Sequence, residues 1–129
     1  MKVYDYRELD VYKKAFDLQQ KIFLISKKFP KEEQYSLTDQ IRRSSRSVGA
    51  NLAEAWKKRR YPAHFVSKLT DSDGELGETV HWLETSLACK YIESDVHETL
   101  TIQCDQVGKM LGVMIRDADK WCVNQSVTR

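Results

Sequence analysis

Two runs of opposite charge carry most of the chemistry legible in this chain of 129 residues. From Arg42 to Arg60 the cations Arg42, Arg43, Arg46, Lys57, Lys58, Arg59 and Arg60 meet one acid, Glu54. From Asp71 to Glu98 the acids Asp71, Asp73, Glu75, Glu78, Glu84, Glu93, Asp95 and Glu98 meet one base, Lys90. Guanidinium and ammonium groups suit phosphate, and an exposed ring beside them suits a base. Arg42, Arg46 and the cluster Lys57, Lys58, Arg59 and Arg60, flanked by Trp56 and Tyr61, are therefore the candidate nucleic-acid-binding residues. A structural reading stands beside this one. Asp71, Glu75 and Glu78 form an acidic stripe that Arg42, Arg43 and Arg46 would pair with, inside a chain or between copies. The Lys57 to Arg60 cluster would then do no more than complement the negative end of a helix, and Trp56 would pack at the core edge rather than stack.

Other constellations are weaker. Glu78 and His81 form a Glu-x-x-His pair, but a di-iron bundle needs that motif twice together with further inward carboxylates, and here it occurs once. His64 and His97 have no partner at ligand spacing, so neither a metal nor another cofactor is expected. Asn51 and Glu54 suit the setting of register in a helix pair. GxSxG, phosphate-loop and Rossmann glycine patterns are absent, so the chain is not expected to be an enzyme.

The elements that carry these residues are helical almost throughout, with five glycines and two prolines as the main interruptions. Val11, Ala15, Leu18, Ile22, Ile25 and Phe29 recur in steps of four and three and predict a helix over 10–29, stopped by Pro30. A second helix is predicted over 36–60, with Ser36 as its cap and Asp39 at the third position. Leu37, Ile41, Ser44, Val48, Leu52 and Ala55 share its inner side, and Arg42, Arg46, Gly49, Ala50, Ala53 and Lys57 the outer. Pro62 opens a third helix running to about 90, with Phe65, Leu69, Leu76, Val80, Leu83 and Leu87 inward. A fourth follows a cap at Ser94 or Asp95 and carries Val96, Leu100, Cys104, Val107, Leu111, Met114, Ala118 and Trp121. Short connections favour antiparallel neighbours, hence an all-α, antiparallel up-and-down four-helix bundle. Residues 1–123 read as one domain and 124–129 as a loose tail.

The first helix carries a surplus apolar stripe of Leu9, Tyr12, Phe16 and Phe23, and the fourth carries Ile102, Met110 and Val113. Such surplus marks association, so these residues are the expected oligomer interface. Net charge is only +2, so any polyanion partner must be recognised by the distribution of charge rather than its total. Three cysteines without CxxC spacing suggest neither a disulfide framework nor a zinc site. Absence of an apolar leader or a long apolar run points to a cytoplasmic protein with no membrane partner.

The run SLTDQIRRSSRSVGANLAEAW from Ser36, with YRELDVYKKAFDL before it, Phe29 and Pro30, and GELGETVHWLE from Gly74 to Glu84, resembles the four-helix-bundle proteins first noticed as products of intervening sequences in bacterial 23S rRNA genes. That resemblance extends over nearly the whole chain. It implies a ring-like homo-oligomer, commonly a pentamer, and a nucleic-acid role related to the accessory proteins of diversity-generating retroelements, with no established activity. The expected function is noncatalytic binding of RNA or DNA by a homo-oligomeric ring, with a nucleic-acid-processing protein as a further partner. A protein-interaction scaffold without nucleic acid is the alternative.

Overall fold

Steps of three and four between apolar residues make each long helix bury one stripe, and four such stripes close on a shared core. A computed structural model describes residues 3–122, and the expected tail at 124–129 lies outside the described residues. The helices are α1 (Asp10–Ser26), α2 (Leu37–Lys57), α3 (Pro62–Ala88), α4 (Ser94–Arg116) and a short α5 (Ala118–Trp121). No strand occurs among the described residues. The architecture is a four-helix bundle in which α2 and α3 make the most extensive contact and α1 and α4 the least among neighbouring pairs.

The inward residues expected of α2 are all buried, as are Val11, Ala15, Leu18 and Ile22 of α1. Phe65, Leu69, Leu76 and Leu83 meet them from α3, and Leu100, Cys104, Val107, Leu111 and Met114 from α4. Val80, Leu87, Val96 and Ile25 are half-buried at the edges of this core. Hydroxyls line the close α2–α3 contact: Ser72 Oγ donates to the Val48 carbonyl at 2.7 Å, and Thr79 Oγ1 to Ser44 Oγ at 2.9 Å. Small hydroxyl side chains allow the two backbones to approach while every buried polar side-chain atom among the described residues keeps a partner.

Several helix ends differ from the sequence reading. Helix α1 stops at Ser26, three residues before Phe29, because the chain turns through Lys28 and Phe29 ahead of Pro30. Ser36 does not cap α2 with its hydroxyl. Glu33 takes that place: its carboxylate accepts from Ser36 Oγ at 2.6 Å and more distantly from Leu37 N at 3.4 Å, favoured by the positive N-terminal end of the helix. Neither Ser94 nor Asp95 is the cap of α4, which begins after Glu93 without a side-chain cap bond. The expected run through Trp121 breaks at Asp117 into α5. A 3-10 turn at Tyr6–Glu8, unforeseen in the sequence, starts on Asp5, whose carboxylate accepts from Arg7 N at 2.9 Å.

Candidate functional site

Helix α2 supplies the cations, and the side from which each residue leaves it decides its partner. Successive residues point about 100° apart. Arg43 faces α3, where it meets Glu75 with both terminal nitrogens, at 3.3 and 3.2 Å, and Glu78 as well. The Glu75 bond, foremost, holds the guanidinium more firmly protonated than usual. Arg42 and Arg46, expected on the same acids, turn the other way, towards α1. Arg42 Nε donates to Ser26 Oγ at 2.7 Å, and the guanidinium carbons of Arg42 and Arg46 stand 4.8 and 5.5 Å from the centre of the Phe23 ring. Asp71 lies beside Lys68, 3.8 Å away, and Lys68 also bridges α3 to Glu54 of α2 at 2.9 Å.

The end of α2 divides likewise. Trp56, offered by the sequence as a stacking ring, is 5% exposed and packs edge-on against Trp121 at 6.1 Å, so it presents no face to a base. Arg59 folds over it: its guanidinium lies 3.5 Å from the Trp56 ring centre and its Nε donates to the Trp56 carbonyl at 2.9 Å. Burial there pushes the Arg59 pKa below its ordinary value. This arginine therefore closes the last turn of the helix. Lys57 and Arg60 are exposed and Lys58 is half-buried. Tyr61 is exposed, its ring 5.5 Å from that of His64.

The expected interface residues also separate. Leu9 is buried in the chain's own core, because the 3-10 turn folds it under α1. Tyr12 packs beside Gly49, where a Cβ would stand 3.4 Å from the tyrosine ring. Phe23 is half-buried beneath its cations. Phe16 remains 45% exposed beside Tyr12. On the α1–α4 side, Ile102 and Val113 are 51% and 49% exposed. Val113 and half-buried Met110 line a shallow apolar groove of about 370 Å³ with Leu9, Met114 and Trp121.

Lys27, which the sequence reading passed over, joins this site with its ammonium 4.7 Å from the Phe23 ring centre. Its step of four residues from Phe23 is local, but the arginines that share that ring come from α2, which no local spacing shows. His97 gains a partner from α3, Glu84 at 2.9 Å. Asn51 Nδ2 donates to the Ser47 carbonyl one turn back, at 2.9 Å. Among the described residues no group of three or more His, Cys, Asp or Glu is placed to hold a metal ion. None of the described helices is long and apolar enough to cross a membrane.

Comparison with known proteins matches this architecture. The chain is similar to a crystallographically solved protein of unknown function from the S23 ribosomal protein family of Bacteroides thetaiotaomicron, at 29% identity and a TM-score of 0.75, over 82% of this chain and 95% of that one. No curated protein matches. The model of the 23S rRNA-intervening sequence proteins matches residues 7–113, and the chain belongs to that family.

Proposed function

We propose that this protein is a noncatalytic nucleic-acid-binding protein, with RNA as its first ligand, acting as a homo-oligomeric ring of about five copies in the cytoplasm. The observation that carries this reading is the sorting of cations along α2. Arg43 is neutralised by acids and Arg59 is folded onto Trp56, whereas Arg42, Arg46, Lys57 and Lys58 form no direct salt bridge among the described residues, Asp5 and Glu54 acting on Lys57 and Lys58 only through space. Cations not held in a direct salt bridge, repeated around a ring, add weak phosphate contacts into useful avidity, provided that they share a face. The family's name, which ties its members to 23S rRNA, supports RNA over other polyanions. A nucleic-acid-processing enzyme would be the natural further partner of such a ring.

Exposed Phe16, Ile102 and Val113 favour assembly, and assembly alone is what the scaffold reading requires. Binding of labelled single-stranded and duplex RNA across a salt series separates the two. Nucleic-acid binding gives an affinity falling linearly with log salt, by about 0.7 to 0.9 per phosphate neutralised. The Lys57→Gln, Lys58→Gln double variant should flatten that line at unchanged oligomer mass. No binding by the intact oligomer at low salt would leave the scaffold.

A further inference from the structure

We infer that Lys27, Arg42 and Arg46, gathered round the ring of Phe23, form a phosphate-binding site on the α1–α2 face. This rests on the nucleic-acid reading and deepens it, by assigning a specific clamp apart from the Lys57 to Arg60 end of α2.

Three full positive charges stand 4.7, 4.8 and 5.5 Å from one ring centre. Among the described residues no carboxylate pairs with any of them. Cations in such proximity repel one another. The Phe23 quadrupole attracts each of them only weakly at an exposed site. The C-terminal turn of α1, which ends at Ser26, contributes roughly half a negative charge. Neither neutralises three cations, so the cluster retains an excess of positive charge that a bound anion would relieve.

The cluster is also positioned. Ser26 is buried, its hydroxyl donates to the Phe23 carbonyl at 2.8 Å, and its oxygen accepts from Arg42 Nε at 2.7 Å. One edge of the Arg42 guanidinium is thereby fixed, and its terminal nitrogens keep their donors for a ligand. Arg46 lies one turn along the same helix face. A phosphate group suits this set better than a carboxylate because it offers more acceptor oxygens and can accept from two guanidinium forks and an ammonium together. Phosphate contacts read no base, so binding here is independent of sequence.

The test uses the full chain. Inorganic phosphate and a short oligouridylate with and without a 5′-phosphate are titrated while the arginine Nε–H resonances are followed by NMR. Binding affinity is measured in parallel for wild type, Lys27→Gln with Arg46→Gln, and Arg46→Lys. Shifts at Arg42 and Arg46, roughly tenfold weaker oligonucleotide binding in the double glutamine variant, and a salt slope smaller by about 1 to 2 support the site. Arg46→Lys should recover most of the affinity. Equal weakening for both oligonucleotides identifies the backbone diester as the ligand, and weakening confined to the 5′-phosphorylated one and inorganic phosphate identifies a terminal phosphate. Unchanged affinity and unshifted arginines, while Lys57→Gln with Lys58→Gln weakens binding, would overturn the site and leave the nucleic-acid reading intact. Loss of oligomer mass in the double glutamine variant without loss of phosphate binding would assign the cluster to contacts between copies and overturn it as well. If wild type binds no oligonucleotide at low salt, the nucleic-acid reading fails. The clamp fails with it unless inorganic phosphate still shifts Arg42 and Arg46.

Discussion

At the scale of single residues, chemistry is assigned by neighbours more than by type. Arg42 and Arg43 are adjacent and identical, yet one lies against a buried serine and an aromatic ring while the other is bound by two glutamates. Tyr91 and Glu33 show the same dependence. Tyr91 donates its hydroxyl to Glu33 at 2.8 Å, which raises the tyrosine pKa from 10.0 to about 12. Hydrogen bonds from Ser36, first, and Tyr91 lower that of Glu33. A raised phenol pKa contributes stability that is fully present below pH 10 and is lost as pH rises through about 12. Absorbance titration of the folded protein should therefore find one tyrosine protonated until about pH 12, and Glu33→Gln should bring it back towards 10. A normal titration of every tyrosine in the wild type would refute the contact.

Among the elements, α3 combines a tight inner contact with an outer face of small residues. Ser72 and Thr79 bond across to α2, whereas a Cβ built on Gly74 or Gly77 would meet nothing within 4 Å. Glycine inside a helix costs about 0.5 to 1 kcal/mol relative to alanine. Gly74→Ala and Gly77→Ala should each stabilise the chain by about that amount in urea unfolding of the isolated chain. A loss of stability from either would contradict the open space. Helix α2 behaves differently, since a Cβ added at Gly49 would stand 3.4 Å from the Tyr12 ring, in contact rather than in open space.

For the whole molecule, apolar exposure lies on more than one side, Leu24 being 59% exposed besides Phe16, Ile102 and Val113. Phe16 is on the α1–α2 side, and Ile102 and Val113 are on the α1–α4 side. Two distinct sticky surfaces suit a head-to-tail contact, the type that closes rings, better than one self-complementary patch. Light scattering should accordingly give a mass several times 15.1 kDa, and Phe16→Asp should reduce it by placing an unpaired carboxylate in the contact. Because Phe16 is half outside the core, that variant should keep its helical signal and lose at most about 1 kcal/mol of chain stability. A monomeric wild type at micromolar concentration would remove the ring.

The sequence by itself determined the four helices, their order and nearly all of their buried faces. Those features follow from periodicity within one segment: a residue three or four places on returns to the same side, and Pro30 and Pro62 interrupt the pattern where the chain must turn. Helix ends were less legible, because a cap such as Glu33 competes with the expected Ser36 through geometry set by the preceding turn. Only the tertiary structure decided which cations are neutralised. That outcome depends on which helix stands on either side of α2, a fact absent from the local sequence. A step of one residue, from Arg42 to Arg43, exchanges an aromatic ring on α1 for carboxylates on α3. The same holds for Leu9, read from the sequence as interface until the 3-10 turn folds it into the core.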